Sequence, residues 1–213
     1  MPKCRPFVLA LMIILCLSGC ASHVGTGDRE AGIYEKIHHH YRKMKSYSAR
    51  VRLTVKGNKT ENVYETEQYV KGDTKSLVRV ISPEDIRGTE TVTNGEKTMV
   101  RKGTSDANAL FVSSGEIMDI CLASTFFQYY YRSEETAVSV SGKTDDSGTT
   151  LLETELMPMS ADRKKATMLV DNKTLAPKTI TVYDAGGNIV VMAEFLSFVY
   201  NDTVDDKMFE MES

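Results

Sequence analysis

The chain has 213 residues, 41% of them hydrophobic and 26% charged, with a formal net charge of −3 at pH 7. That length and balance suit one domain with a sizeable core and exclude a disordered polar chain. The acidic balance and the lack of any lysine or arginine run argue against nucleic acid as a partner and against a polybasic grip on anionic lipid.

The amino terminus reads as an export signal. Lys3 and Arg5 precede an apolar run from Phe7 to Leu17, too short for a comfortable spanning helix, and Leu17-Ser18-Gly19-Cys20 follows. This pattern resembles the bacterial lipobox, in which the cysteine thiol is linked to diacylglycerol and becomes the first residue of the mature chain. Residues 1–19 are therefore expected to be a lipoprotein signal peptide, 20–27 a lipidated tether and 28–213 one domain. Losing Lys3 and Arg5 with the signal takes the side-chain charge from −3 to −5. Two acyl chains on Cys20 suffice for stable anchoring, where one would bind only marginally. The expected location is the outer face of a bacterial membrane. Cys4 and Cys16 leave with the signal, so Cys121 has no intrachain disulfide partner and reads as a small buried hydrophobe. The lipobox makes the Asn-x-Thr sequons at Asn58, Asn172 and Asn201 chance matches.

Past the short polar tether, Asp28 can cap a helix running to about Lys45, with Ile33, Tyr34, Ile37, Tyr41 and Met44 at helical spacing. From Tyr47 the period changes to two, since Tyr47, Ala49, Val51, Leu53 and Val55 alternate with polar residues in a half-buried strand. Gly57-Asn58 and Gly72-Asp73 turn the chain into strands near 62–71 and 77–82, and Asn94-Gly95 joins two more at 89–93 and 97–101 as a tight hairpin. Ser113 and Glu116 match a capping box for a helix to about Arg132, apolar over more than one stripe. Strands return near 137–141, 149–156, 166–171, 178–183 and 188–200, punctuated by Gly142, Pro158, Pro177 and Gly186-Gly187. The last is apolar at odd and even positions, as a central strand covered on both faces would be. The fold class is α+β, a strongly curved antiparallel sheet with an amino-terminal helix and a central helix in or across its hollow.

Little in the chain resembles catalytic machinery. His38, His39 and His40 are consecutive, so on a helix they point in different directions and cannot share a metal by themselves. The acidic pairs Glu65 and Glu67, Glu134-Glu135, Asp145-Asp146 and Asp205-Asp206 lie in expected solvated faces, turns and the tail. No phosphate-binding glycine loop or nucleophile elbow is present. The chain reads as a non-enzyme with no cofactor and no metal. Ile117, Ile120, Cys121, Phe126, Phe127 and Tyr130 form the main apolar cluster. They either fill the hollow or line an acyl-chain cleft, and the sequence leaves both open.

Ser82-Pro83 with Gly88, Asn94-Gly95, Asp171-Asn172-Lys173-Thr174 with Pro177, Asp184 with Gly187-Asn188, and the closing run from Phe195 to Asn201 resemble the superfamily of the outer-membrane lipoprotein carrier LolA. The resemblance covers about residues 33 to 210 and implies an unclosed β-barrel with helices across its opening. With a lipobox, the chain is most similar to the anchored lipoproteins of spore-forming Gram-positive bacteria, those of the clostridial germination lipoprotein GerS and its relatives. That likeness implies a partner, an N-acetylmuramoyl-L-alanine amidase of the spore cortex, and a place in the forespore intermembrane space. The soluble members of the superfamily imply the alternative, a carrier or sensor of lipid or lipoprotein. The anchor itself gives a direct prediction. Cys20→Ala should move the protein from the membrane fraction to the soluble fraction, and unchanged incorporation of radiolabelled lipid would refute the assignment.

Overall fold

The computed structural model describes residues 26–57, 60–95, 97–101, 119–133, 136–141, 148–160 and 162–211. Helix α1 (Thr26–Arg42) leads into strands β1 (Ser46–Lys56), β2 (Glu61–Lys71), β3 (Lys75–Ser82), β4 (Glu90–Asn94) and β5 (Thr98–Arg101). Helix α2 (Ala123–Arg132) follows, then β6 (Thr136–Ser141), β7 (Thr149–Ser160), β8 (Arg163–Asp171), β9 (Pro177–Tyr183) and β10 (Ile189–Tyr200). The strands form one antiparallel sheet in the order β5-β4-β3-β2-β1-β10-β9-β8-β7-β6. It is two meanders joined at the centre by the first and last strands, with β5 and β6 left as edges, which makes the barrel unclosed. This is the curved α+β architecture expected from the sequence.

Alternation builds the inner face. Tyr47, Val51 and Leu53 of β1 are buried, while Arg50 and Arg52 between them point outward. Ile33, Ile37 and Tyr41, spaced four apart, turn one stripe of α1 onto that face, and Phe126, Phe127 and Tyr130 of α2 join the same core. Tyr41 stacks on Phe127 with ring centroids 4.0 Å apart.

The outer face is closed differently at its two ends. Beyond β10, Asn201 takes a φ of 53° and its backbone N–H donates to the Ser46 carbonyl at 2.9 Å, turning the chain back. The segment then straps the outside of β2 to β4, where Val204 and Phe209 bury Leu77 and Val92 in a second small core. Asp206 fixes the strap through Lys71 at 2.6 Å and Lys75 at 3.0 Å. Next to it runs a ladder of charge. Glu194 and Glu65 flank Arg52 at 3.1 and 3.2 Å, Arg50 reaches Glu65 at 2.8 Å, and Arg79 bridges Glu67 and the buried Glu90 at 3.4 and 2.8 Å.

Several expectations are corrected. The central helix is interrupted: residues 119–120 are helical, but Leu122 is extended (φ −81°, ψ 136°) and the Ala123 backbone N–H donates to the Tyr47 hydroxyl at 3.1 Å, so α2 starts afresh at Ala123. Residues 113–118, with the expected capping box and Ile117, lie outside the described residues. Strand β10 is not covered on both faces, since Leu196 and Val199 are 40% and 50% exposed. Its mixed pattern has another cause. Val51 pairs with Phe195 but Arg50 pairs with Ser197, so a bulge at Leu196 shifts the alternation by one residue. Asp28 lies inside α1, which starts at Thr26 and ends at Arg42. The hairpin after β4 is tight, as expected, but its turn sits one residue later: the Asn94 N–H donates to the Lys97 carbonyl at 3.2 Å, so Asn94 ends the strand and Gly95 takes the positive φ, 96°. Pro158 lies within β7, in the stretch where pairing with β8 loses register between Glu155 and Ser160.

Two measurements probe this core. Phe126 is 1% exposed, so Phe126→Ala should cost about 3–5 kcal/mol in urea unfolding, and a loss below about 1 kcal/mol would place the ring outside the core. Burial pushes the Cys121 thiol up to about 12, with Asp119 adding to the rise. In the mature folded chain Cys121 should therefore resist a thiol-disulfide reagent at pH 8 and react only after denaturation, whereas prompt native labelling would overturn its burial.

Candidate functional site

The opening of the barrel is where the two helices meet the ends of β1 and β2, and tyrosines do most of the joining. Tyr41 donates to the Leu175 carbonyl at 2.9 Å, Tyr131 to the His38 carbonyl at 3.3 Å and Tyr200 to the His40 carbonyl at 2.9 Å. Each ring spends its apolar body on packing and its hydroxyl on a backbone carbonyl, that of Leu175 in the β8–β9 turn or those of His38 and His40 in the last turns of α1, where the His40 carbonyl also accepts the Lys43 N–H at 3.2 Å. Tyr47 works in the other direction, accepting from α2 while its ring stacks on Phe198 at 5.0 Å. Burial raises its phenol well above the ordinary range, so it stays neutral and keeps its hydroxyl proton.

The three histidines separate, as consecutive helical residues must. His38 meets Tyr131 edge-on at 5.0 Å, His40 stacks on Tyr200 at 3.8 Å, and His39 is exposed. Burial lowers the pKa of His40 from 6.5. Its neutral form is the one the fold favours, so its contribution is intact above pH 6.5 and declines as the pH falls below that value. Among the described residues no group of three His, Cys, Asp or Glu side chains is placed to hold a metal.

Between the end of α1, the β2–β3 turn and α2 lies a cleft of about 580 Å³. Tyr47 and Phe127 form part of its floor, Met44 and Tyr131 its walls, and Arg42, Lys45, Lys71 and Asp73 its polar rim. It joins an aromatic surface to charged groups, one of which, Lys71, is held by Asp206 at 2.6 Å, a combination suited to non-covalent binding.

The predicted apolar cluster lies deeper. Ile120, Cys121, Phe126, Phe127 and Tyr130 are 8% exposed or less and pack into the main core, with Phe126 and Phe127 edge to face at 5.5 Å. Cys20 and Ile117 lie outside the described residues. The hollow around this cluster is polar towards β2 to β4. Thr66, Gln68, Thr89 and Thr91 are buried on the inner face there, and the Gln68 Nε2 and both hydroxyls of Thr89 and Thr91 find no hydrogen-bond partner among the described residues. An acyl chain laid along them would leave those groups unpaired. Sequence reasoning found the aromatic cluster but missed Tyr47 as the cap of α2, because its partner is 76 positions away. It also missed the strap, whose apolar residues are too few to show a period.

No curated protein matches the sequence. Among solved structures, the chain is similar to a LolA-superfamily protein from Nitrosomonas europaea, at 14% identity and a TM-score of 0.43, over 85% of this chain and 97% of the other. A DUF1329-family protein from Desulfovibrio piger matches at 13% identity and 0.48, over 86% and 96%. A chain in the structure of the CwlD amidase from Clostridioides difficile in complex with the GerS lipoprotein matches at 22% identity and 0.40, over 80% and 95%. The family model described as sporulation protein YdcC-like spans residues 5–209, and this chain belongs to that family.

Proposed function

We propose that this chain is a lipid-anchored, non-catalytic binding protein of sporulation, which docks on an N-acetylmuramoyl-L-alanine amidase of the spore cortex and raises its activity. The observation that carries the binding role is the filled hollow. Phe126, Phe127 and Tyr130 occupy it at 4% exposure or less, and its far end is lined by polar groups without a partner among the described residues, which favours the surface for recognition. Membership of a YdcC-like sporulation family supports the process. The amidase as partner comes from the sequence resemblance to the germination lipoproteins. Diacylglycerol on Cys20 would hold the complex at the outer face of a membrane, in the forespore intermembrane space.

Activation needs no catalytic group from this chain. If docking favours the competent state of the partner, binding and activity are linked, and a coupling of about 1–3 kcal/mol gives about 5- to 150-fold. The cleft at the barrel mouth favours one other reading, capture of a small amphiphile on its aromatic floor, which would make the chain a lipid or lipoprotein carrier or sensor.

Affinity capture of the full lipoprotein from sporulating cells of its own species, with native mass spectrometry and amidase assays on the eluate, separates the two. A stoichiometric amidase whose activity drops when the lipoprotein is absent is the expected result. A lipid-sized adduct with no protein partner would overturn the adaptor reading and make the cleft the functional site.

A further inference from the structure

The outer side of α1 has no covering element among the described residues. Between residues 32 and 43, Lys36, His39, Arg42 and Lys43 are all exposed on it, against one exposed carboxylate, Glu35. No run of basic residues marks this surface in the sequence, but helical spacing gathers them on one side of the last two turns. Tyr131 of α2 stands beside them, 41% exposed, with Arg42 close enough to act on its phenol and His38 edge-on to its ring. Cations next to an exposed tyrosine, with its amphipathic ring, are the composition of a protein face at a bilayer interface.

Chain length supplies the second argument. Only residues 21–25 separate Cys20 from the start of α1, and they reach about 20 Å at full extension. Helix α1, about 25 Å long at 17 residues, is the first described element that the chain enters after Cys20, so the tether holds its start within about 20 Å of a lipid anchor. The third argument is charge. Without its signal the chain carries −5 overall, so a local excess of positive charge gives it a direction. An anionic surface repels the body and attracts this face.

We infer that the exposed face of α1, with Tyr131, lies against anionic phospholipid and fixes the orientation of the domain on its membrane. This rests on the lipidation of Cys20 proposed above. Two acyl chains provide the hold, and the basic face provides the angle, turning the strapped outer face of the sheet away from the bilayer towards a protein partner.

The test uses the mature lipidated chain in vesicles of phosphatidylcholine alone and of equal parts phosphatidylcholine and phosphatidylglycerol. Amine-reactive labelling of lysines is read by peptide mass spectrometry. Intact mass first establishes whether Cys20 carries diacylglycerol, and an unmodified Cys20 overturns both the anchored reading and this inference. With the anchor present, labelling of Lys43 should slow about threefold or more on the anionic vesicles only. Lys207, on the strap across the outer face, should label equally on both. Salt at about 1 M, where the Debye length is about 3 Å, should restore Lys43 labelling, and Arg42→Glu should do the same at low salt. Equal labelling of Lys43 on the two vesicle types would overturn the inference while leaving the anchor intact.

Discussion

The pairing of β1 with β10 is the contact on which the rest of the structure depends. It joins Tyr47 to Tyr200 and Val55 to Val191, so the two meanders become one sheet only where the start of the domain meets its end. Each meander alone would expose an apolar inner face and an additional edge. The same seam positions the helices. Tyr47, at the end of the seam, sends its hydroxyl to the first turn of α2, and Tyr200 opposite it receives the ring of His40 from α1. A change at either tyrosine therefore acts on a strand and a helix together, and at Tyr47 on the cleft as well.

Tyrosine is suited to this because its two ends have different partners. Its ring gives the seam dispersion contacts, and its hydroxyl ties in the backbone of a helix: Tyr47 accepts from the Ala123 N–H, and Tyr200 donates to the His40 carbonyl. The outer face solves the same problem with other means. Where the strap crosses, Leu77 and Val92 are covered, and where it does not, arginine and carboxylate alternate across β3, β2, β1 and β10. These exposed pairs add little individually to stability. They keep a broad open sheet polar on its wet side, which matters in a fold whose edges β5 and β6 have no neighbouring strand among the described residues.

Much of this was legible in the residues. The stripe of Ile33, Ile37 and Tyr41 and the alternation from Tyr47 to Leu53 are periodic over enough positions to specify both an element and its buried side. The breakdown of the pattern in β10 misled, because a single bulged residue changes the phase of everything after it and mimics a strand buried on both faces. The start of α2 was illegible for a different reason, since its cap is supplied by a side chain from another part of the sheet. Aromatic content marked Phe126, Phe127 and Tyr130, but composition cannot distinguish a ring that fills a hollow from one that lines it. The core they join decides that, and its buried members come from seven strands and both helices.

A sheet completed by its own last strand also sets a schedule. The partner of Tyr47 is the residue at position 200, so the central ladder cannot form while the carboxy-terminal end is still inside a ribosome or a translocation channel. On the proposed reading, in which the chain is exported and lipidated, that delay would be an advantage. The polypeptide would stay threadable until almost its whole length had crossed, and the domain would close only beyond the membrane.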